Sequence, residues 1–232
     1  MNDDELWAAI DIQRARTTEL LDGLAPAEWD RPSLCDGWTV RDVAAHLTLQ
    51  QMTLGRVLRT AVRHPGGLNH MISAAARDRA NLPTDRIIAE IRGMIGSRRH
   101  NVGVTPLETL IDIVVHGQDV AVPLGRVLDV APEVAATAAS RVWLSRKNRR
   151  KANVFRRLPY DGNRLVATDA DWSVGEGPEI RGPVLALLLL LTGRPVMLRR
   201  LSGEGATALA KRLAHADGTN RGERITTTTD DR

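Results

Sequence analysis

Apolar residues recur at helical spacing through most of the first 120 positions. Leu6, Ala9, Ile10, Ile12, Leu20 and Leu21 form a stripe over residues 4–22 that Gly23 ends. Thr39-Val-Arg-Asp42 has the hydroxyl-to-acid spacing of a helix start, and Val43, Ala44, His46, Leu47, Leu49, Met52 and Leu54 extend that helix towards Arg63. Pro65-Gly66-Gly67 breaks it. Another helix covers residues 68–79, and one opening at Thr84 reaches about Arg98 with Ile87, Ile88, Ile91, Met94 and Ile95 on one side. The next start is the best specified: Thr105 can cap, Pro106 suits the first helical position, and Glu108 can reach back to the cap nitrogen. Leu110, Ile111, Ile113, Val114 and Val115 follow, and Gly117 marks the end. Four long helices with short links predict an up-and-down bundle, in which sites are built from side chains of facing helices.

Beyond Gly125 the pattern changes. Residues 132–145 are helical, with Val134, Ala138, Val142 and Trp143 as buried positions. Leu165, Ala167, Trp172 and Val174 alternate as strands around a turn at Asp169 to Asp171, and Glu179 to Arg181 forms a short edge strand. Pro183 opens a nearly all-apolar helix, Val184 to Leu191, the pattern of a helix buried against a sheet. A last helix covers residues 201–213, and residues 214–232, with four consecutive threonines, read as a disordered tail. The expected fold class is α+β: a helical bundle over residues 1–128, a small α/β domain over 129–213, then the tail.

At 232 residues and 43% hydrophobic content, the chain can build a sizeable core without staples. One cysteine, Cys35, excludes an internal disulfide framework, and no basic-then-apolar leader follows Met1, so a reducing cytoplasm is expected. The longest apolar run, Val184 to Leu191, is too short to span a bilayer, so a soluble protein without a membrane partner is expected. The net charge of +4 comes from 32 Lys and Arg against 28 Asp and Glu, a mixed surface. Only Arg146-Lys-Asn-Arg-Arg-Lys151, followed by Arg156 and Arg157, is concentrated. Phe155 and Tyr160 are the only aromatics near it, too few for interleaved base stacking, so it reads as a solvated loop or anion-facing edge and no nucleic-acid partner is expected.

Candidate chemistry sits in the best-specified helix. Asp112 and His116, four residues apart, share one helix face amid apolar residues. An ionised carboxylate taken out of water needs a cation or several donors, and histidine is the commonest metal ligand, so a shared metal ion would satisfy both. Equally, Asp112 could face solvent while His116 caps the helix end. His46 lies on or beside an apolar stripe, as a core histidine or as a ligand. Asp42 precedes it by four residues but already has a capping position.

Three ordered blocks resemble a known family. They are Ser33-Leu-Cys-Asp-Gly-Trp-Thr-Val-Arg-Asp-Val-Ala-Ala-His-Leu47; Asp112-Ile-Val-Val-His-Gly-Gln-Asp-Val-Ala121 with Pro123-Leu-Gly125; and the stretch from Gly182 through Leu-Leu-Leu-Thr-Gly-Arg194. Together, and over nearly the whole chain to about Leu213, they resemble the mycothiol-dependent maleylpyruvate isomerase family, whose first domain is a DinB-like metal-binding four-helix bundle. The resemblance implies a divalent metal, usually zinc, in the bundle, and a small α/β domain similar to sterol carrier proteins. Carried over by position, the ligands fall on His46, Asp112 and His116. The acidic ligand is commonly Glu in the isomerases, and Asp112 shortens the reach by one methylene.

What the resemblance implies chemically is a three-ligand metal with an open position for a thiol. A cation stabilises a thiolate, so mycothiol would be nucleophilic at neutral pH, adding to an activated double bond in an isomerase or displacing a leaving group in an S-transferase. Arg194 is the candidate cation for a substrate carboxylate or enolate, or it caps the apolar helix. Cys35, beside Asp36, reads as inert. The expected partners are a small electrophile and a low-molecular-weight thiol, on a monomer or homodimer. The alternative is a non-catalytic metal- or apolar-ligand-binding protein on the same scaffold.

Overall fold

The computed structural model describes residues 1–52, 54–64, 67–145 and 161–226. The basic run at 146–157 lies outside them. The chain divides into two compact units, Met1–Arg141 and Val142–Arg232.

The first unit is a helical bundle. Its helices are α1 (Asp3–Asp22), α2 (Val40–Leu47), α3 (Leu54–Arg63), α4 (Leu68–Ala80), α5 (Thr84–Arg92) and α6 (Pro106–Ala121). α1 packs against α5 and α6, and α2 against α4, α5 and α6. Ile10, Leu21, Val43, Leu47, Ile87, Ile91, Leu110 and Ile113 are buried in it. Each contributes about 1.5–3 kcal/mol of transfer free energy. The face α1 buries includes Arg14, whereas Ile12 is exposed. The terminal nitrogens of the Arg14 guanidinium are engaged: they donate to the carbonyls of Met94 at 2.8 Å and Ser97 at 3.2 Å, and to Gln50 Oε1 at 3.4 Å.

Three boundaries differ from the sequence expectation. The single helix expected from Thr39 to Arg63 is two, because the chain leaves the helix at Thr48. There the Thr48 hydroxyl donates to the Ala45 carbonyl at 2.7 Å, and Met52 N–H donates to Asn101 Oδ1 at 2.7 Å. The first bond is local and the second tertiary, and together they offer the backbone an alternative to the helical ladder. α5 ends at Arg92, short of the expected Arg98: Gly93 occupies its C-cap, and Gly96 follows at φ 80°. α6 does not end at Gly117 but continues to Ala121. Gly117 is there for close packing, since a Cβ on it would lie 2.6 Å from Leu128 Cδ2 and 3.2 Å from Thr17 Oγ1.

The division between the units falls within α7 (Pro132–Ser145), not before it at residue 128. Ala135, Ala138 and Ala139 are fully buried, and Arg141 pairs with Glu108 on α6, which ties the early part of α7 to the first unit.

The second unit holds a three-stranded sheet ordered β2-β1-β3. β1 (Arg164–Ala167) pairs antiparallel with β2 (Ser173–Val174) and parallel with β3 (Glu179–Gly182). Leu165 and Ile180, partners in register, are fully buried. α8 (Val184–Leu191) packs on β1, and its N-terminal amide at Val184 is capped by Asp169 Oδ1 at 2.8 Å. α9 (Glu204–Thr226) packs on β3 and continues past Leu213, where a tail was expected. Ala214 and Ala216 are strong helix formers, and no proline interrupts the run. No helix among the described residues is long and apolar enough to cross a membrane.

Candidate metal centre

The helical repeat of α6 puts Asp112, His116 and Asp119 on one face, and α2 ends its last turn with His46 opposite them. Asp112 Oδ1 lies 3.2 Å from His46 Nε2 and 3.4 Å from His116 Nε2. The two imidazoles meet edge to face, with ring centroids 4.7 Å apart. The second carboxylate oxygen, Oδ2, accepts from Gln50 Nε2 at 2.7 Å. Gln50 lies in the chain that leaves α2, so the break at Thr48 delivers it to the site.

A second layer lies behind His116. Its Nδ1 donates to Asp119 Oδ2 at 2.8 Å, and the Cys35 thiol donates to the same oxygen at 3.0 Å, with sulfur 3.6 Å from Nδ1. Asp119 is completely buried. A histidine whose far nitrogen is fixed by a carboxylate has its near nitrogen aimed and made more basic, the usual support of a metal-bound imidazole. Among the described residues, His46 Nδ1 is buried without a hydrogen-bond partner. That ring is oriented by Trp38, at a centroid distance of 5.6 Å, and by His116.

The charges are strongly coupled. Burial alone would raise the Asp112 pKa, but His46 above all, then His116 and Gln50, outweigh it and hold the carboxyl well below its ordinary range. Burial would lower His116, yet its bond to Asp119, with help from Cys35 and Asp112, pushes it up to about 10. Without a metal, His116 is therefore an imidazolium with Nδ1–H on Asp119 and Nε2–H towards Asp112.

Do these residues fit a metal ion? His46, Asp112 and His116 each offer a ligand atom, and the three lie within 4.8 Å of one another. Tetrahedral zinc with bonds of about 2.0–2.2 Å sets its ligand atoms about 3.3–3.6 Å apart. The two separations from Asp112 Oδ1, 3.2 and 3.4 Å, are of that size, so the donor set suits zinc. The methylene lost relative to Glu leaves Oδ1 in reach of both rings. Cys35, His116 and Asp119 form a second group of possible donors, with His116 shared between the two.

The first unit thus brings together His46, Asp112 and His116. Arg194 belongs to the second unit, where its N–H donates to the Leu189 carbonyl at 2.8 Å and its guanidinium to the Thr192 carbonyl, ending α8. Asp42 accepts from Thr39 N–H at 2.9 Å and is spent on the cap of α2. Sequence reasoning missed Gln50, Asp119 and the contact role of Cys35. Asp119 alone carried a readable signal, three residues past His116 on the same face, hidden by ending the helix at Gly117.

Comparisons with known proteins agree with this architecture. Residues 10–109 match the family model of the mycothiol maleylpyruvate isomerase N-terminal domain, a stretch that includes His46 and stops short of Asp112. No curated protein matches the chain. Two crystal structures of the mycothiol-dependent maleylpyruvate isomerase, one of a histidine-to-alanine mutant, match with TM-scores of 0.62 and 0.63 at 13% and 12% identity, each over 89% of this chain and 94% of theirs. At such identity the likeness is one of fold. Residues 10–109 are thus similar to the mycothiol maleylpyruvate isomerase N-terminal domain, and the chain as a whole shares the fold of that isomerase.

Proposed function

We propose that the protein is a divalent-metal-dependent, thiol-using isomerase or S-transferase acting on a small electrophile, with zinc as the metal and mycothiol as the thiol. The observation that carries this is the single oxygen, Asp112 Oδ1, facing two imidazole Nε2 atoms at 3.2 and 3.4 Å. His46, Asp112 and His116 are assigned as the ligands. Bound there, zinc would favour a thiolate over the thiol and so supply a nucleophile near neutral pH. Asp119 holds the proton on His116 Nδ1, leaving Nε2 free as a donor, and Gln50 holds Asp112 Oδ2, leaving Oδ1 aimed at the histidines. Arg194 is assigned to the end of α8, where its guanidinium donates to the Thr192 carbonyl. A free cysteine and a thiol cosubstrate suit a reducing cytoplasm, where we place the reaction.

Elemental analysis of purified protein should find about one zinc per chain, lost in His116→Ala and Asp112→Ala. With zinc loaded, mycothiol should be consumed in the presence of an electrophile, and chelation should stop it. Zinc retained by both variants would refute the ligand set, and metal binding without turnover would leave a binding protein on this scaffold.

A further inference from the structure

Beside the His46 and Asp112 side chains opens a cavity of about 290 Å³, near the lower end of small-molecule sites. Its walls are Leu49, Met52, Met71, Ile72, Val102 and Val104. Three of the polar residues lining it are engaged within the protein, and His46, Thr109 and Asp112 line it too. Gln50 donates to Asp112, Asn101 Oδ1 accepts from Met52 N–H, and Glu108 accepts from Thr105 N–H and pairs with Arg141. Among the described residues lining it, none is Lys or Arg. The nearby Arg59, Arg63 and Arg79 line a different cleft of about 200 Å³, in which Arg79 is engaged by Thr48 and Glu90.

Charge then decides what fits. A divalent ion held by one carboxylate keeps one positive charge, and a thiolate cancels it. A carboxylate in the cavity would add a further negative charge beside Asp112 and Glu108, partly withdrawn from water and with no Lys or Arg among the described lining residues to pair it. A sugar-bearing thiol would find too few free hydrogen-bonding groups there for its hydroxyls. We infer that this cavity is the electrophile's subsite and that it selects an uncharged molecule with an apolar body over a carboxylate-bearing one. The electrophile half of this inference rests on the function proposed above; the choice of uncharged over anionic ligand does not.

The test uses the full chain and a matched pair of unreactive probes, 4-phenylbutan-2-one and 2-oxo-4-phenylbutanoate, which differ in a methyl against a carboxylate. Binding is read by calorimetry and by tryptophan fluorescence, since Trp38 stands against His46. In metal-free protein the ketone should bind more tightly by about tenfold or more, and Val104→Arg should reverse the order. Equal or tighter binding of the keto acid to the metal-free wild type, or binding of neither probe, overturns the inference, whether or not the variant folds. The corresponding enone, 4-phenylbut-3-en-2-one, is then offered to zinc-loaded protein with mycothiol. Its consumption supports the electrophile assignment. Ketone binding with no consumption of the enone supports the ligand preference while overturning the electrophile assignment and, with it, the proposed reaction.

Discussion

At Asp112 one carboxylate oxygen serves two histidines while the other is held by an amide, so protons and metal ions compete for the same nitrogens. Zinc must displace the Nε2 proton of His116, and each bound ion should release about one proton near neutral pH. Calorimetric titrations in buffers of different ionisation enthalpy would measure it; zero release would contradict the assigned imidazolium. The same pairing sets a pH dependence for the metal-free protein. The His116 pKa of about 10 stands above its ordinary 6.5, so its stabilising contribution is complete below pH 6.5 and is lost as pH rises towards 10. Chelator-treated protein should lose resistance to urea over that window, and His116→Ala should flatten the profile there. Behind the ring, Asp119→Asn should weaken zinc binding about 10–100-fold, measured by chelator competition, because the amide no longer supports His116 as a strong ligand. Undiminished affinity in that variant would show the buried carboxylate to be idle.

Among the elements, α6 does most of the positioning, and its interior glycine shows why. In a free helix Gly→Ala stabilises by about 1 kcal/mol, but at Gly117 the methyl meets Leu128 and Thr17. Overpacking costs about 1–3 kcal/mol, so Gly117→Ala should be destabilised by about 1 kcal/mol in urea denaturation. A gain in stability would mean that Leu128 swings away freely. The same glycine marks the limit of what the sequence discloses. His46, Asp112 and His116 were legible because four-residue spacing on an apolar helix leaves a carboxylate in need of company, and because the ordered blocks resemble those of a family. Asp119 was hidden once Gly117 was taken as a helix end, when it is a packing contact. Gln50 was hidden because Thr48 to Met52 contains no proline or glycine; the break there is imposed by Asn101, about fifty residues away in sequence. The apolar helix α8 and its sheet were plain from local pattern, since a run without polar residues has few alternatives.

For the molecule as a whole, all three assigned ligands lie in one of its two units. A ligand that binds only the folded form stabilises it by about 2.7 kcal/mol at one hundred times its dissociation constant. Zinc should therefore slow hydrogen exchange in α2 and α6 and leave β1 and α8 largely unchanged, as mass spectrometry of peptides would show. Equal protection in α8 would mean that the two units unfold as one cooperative body. Arg14 adds to the same picture. A guanidinium sealed inside the bundle, linked through Gln50 to Asp112, supports the carboxylate from behind. Arg14→Leu should cost about 3 kcal/mol of stability by stranding the carbonyls it serves.

Gln50 and Asp119 clamp the two α6 ligands from behind, on groups that no ion needs. A pocket braced in this way is rigid before loading: the backbone nuclear magnetic resonance fingerprints of stripped and loaded protein should nearly coincide, and the metal should come and go as a passenger in a finished cradle, never as the nail that holds the frame together.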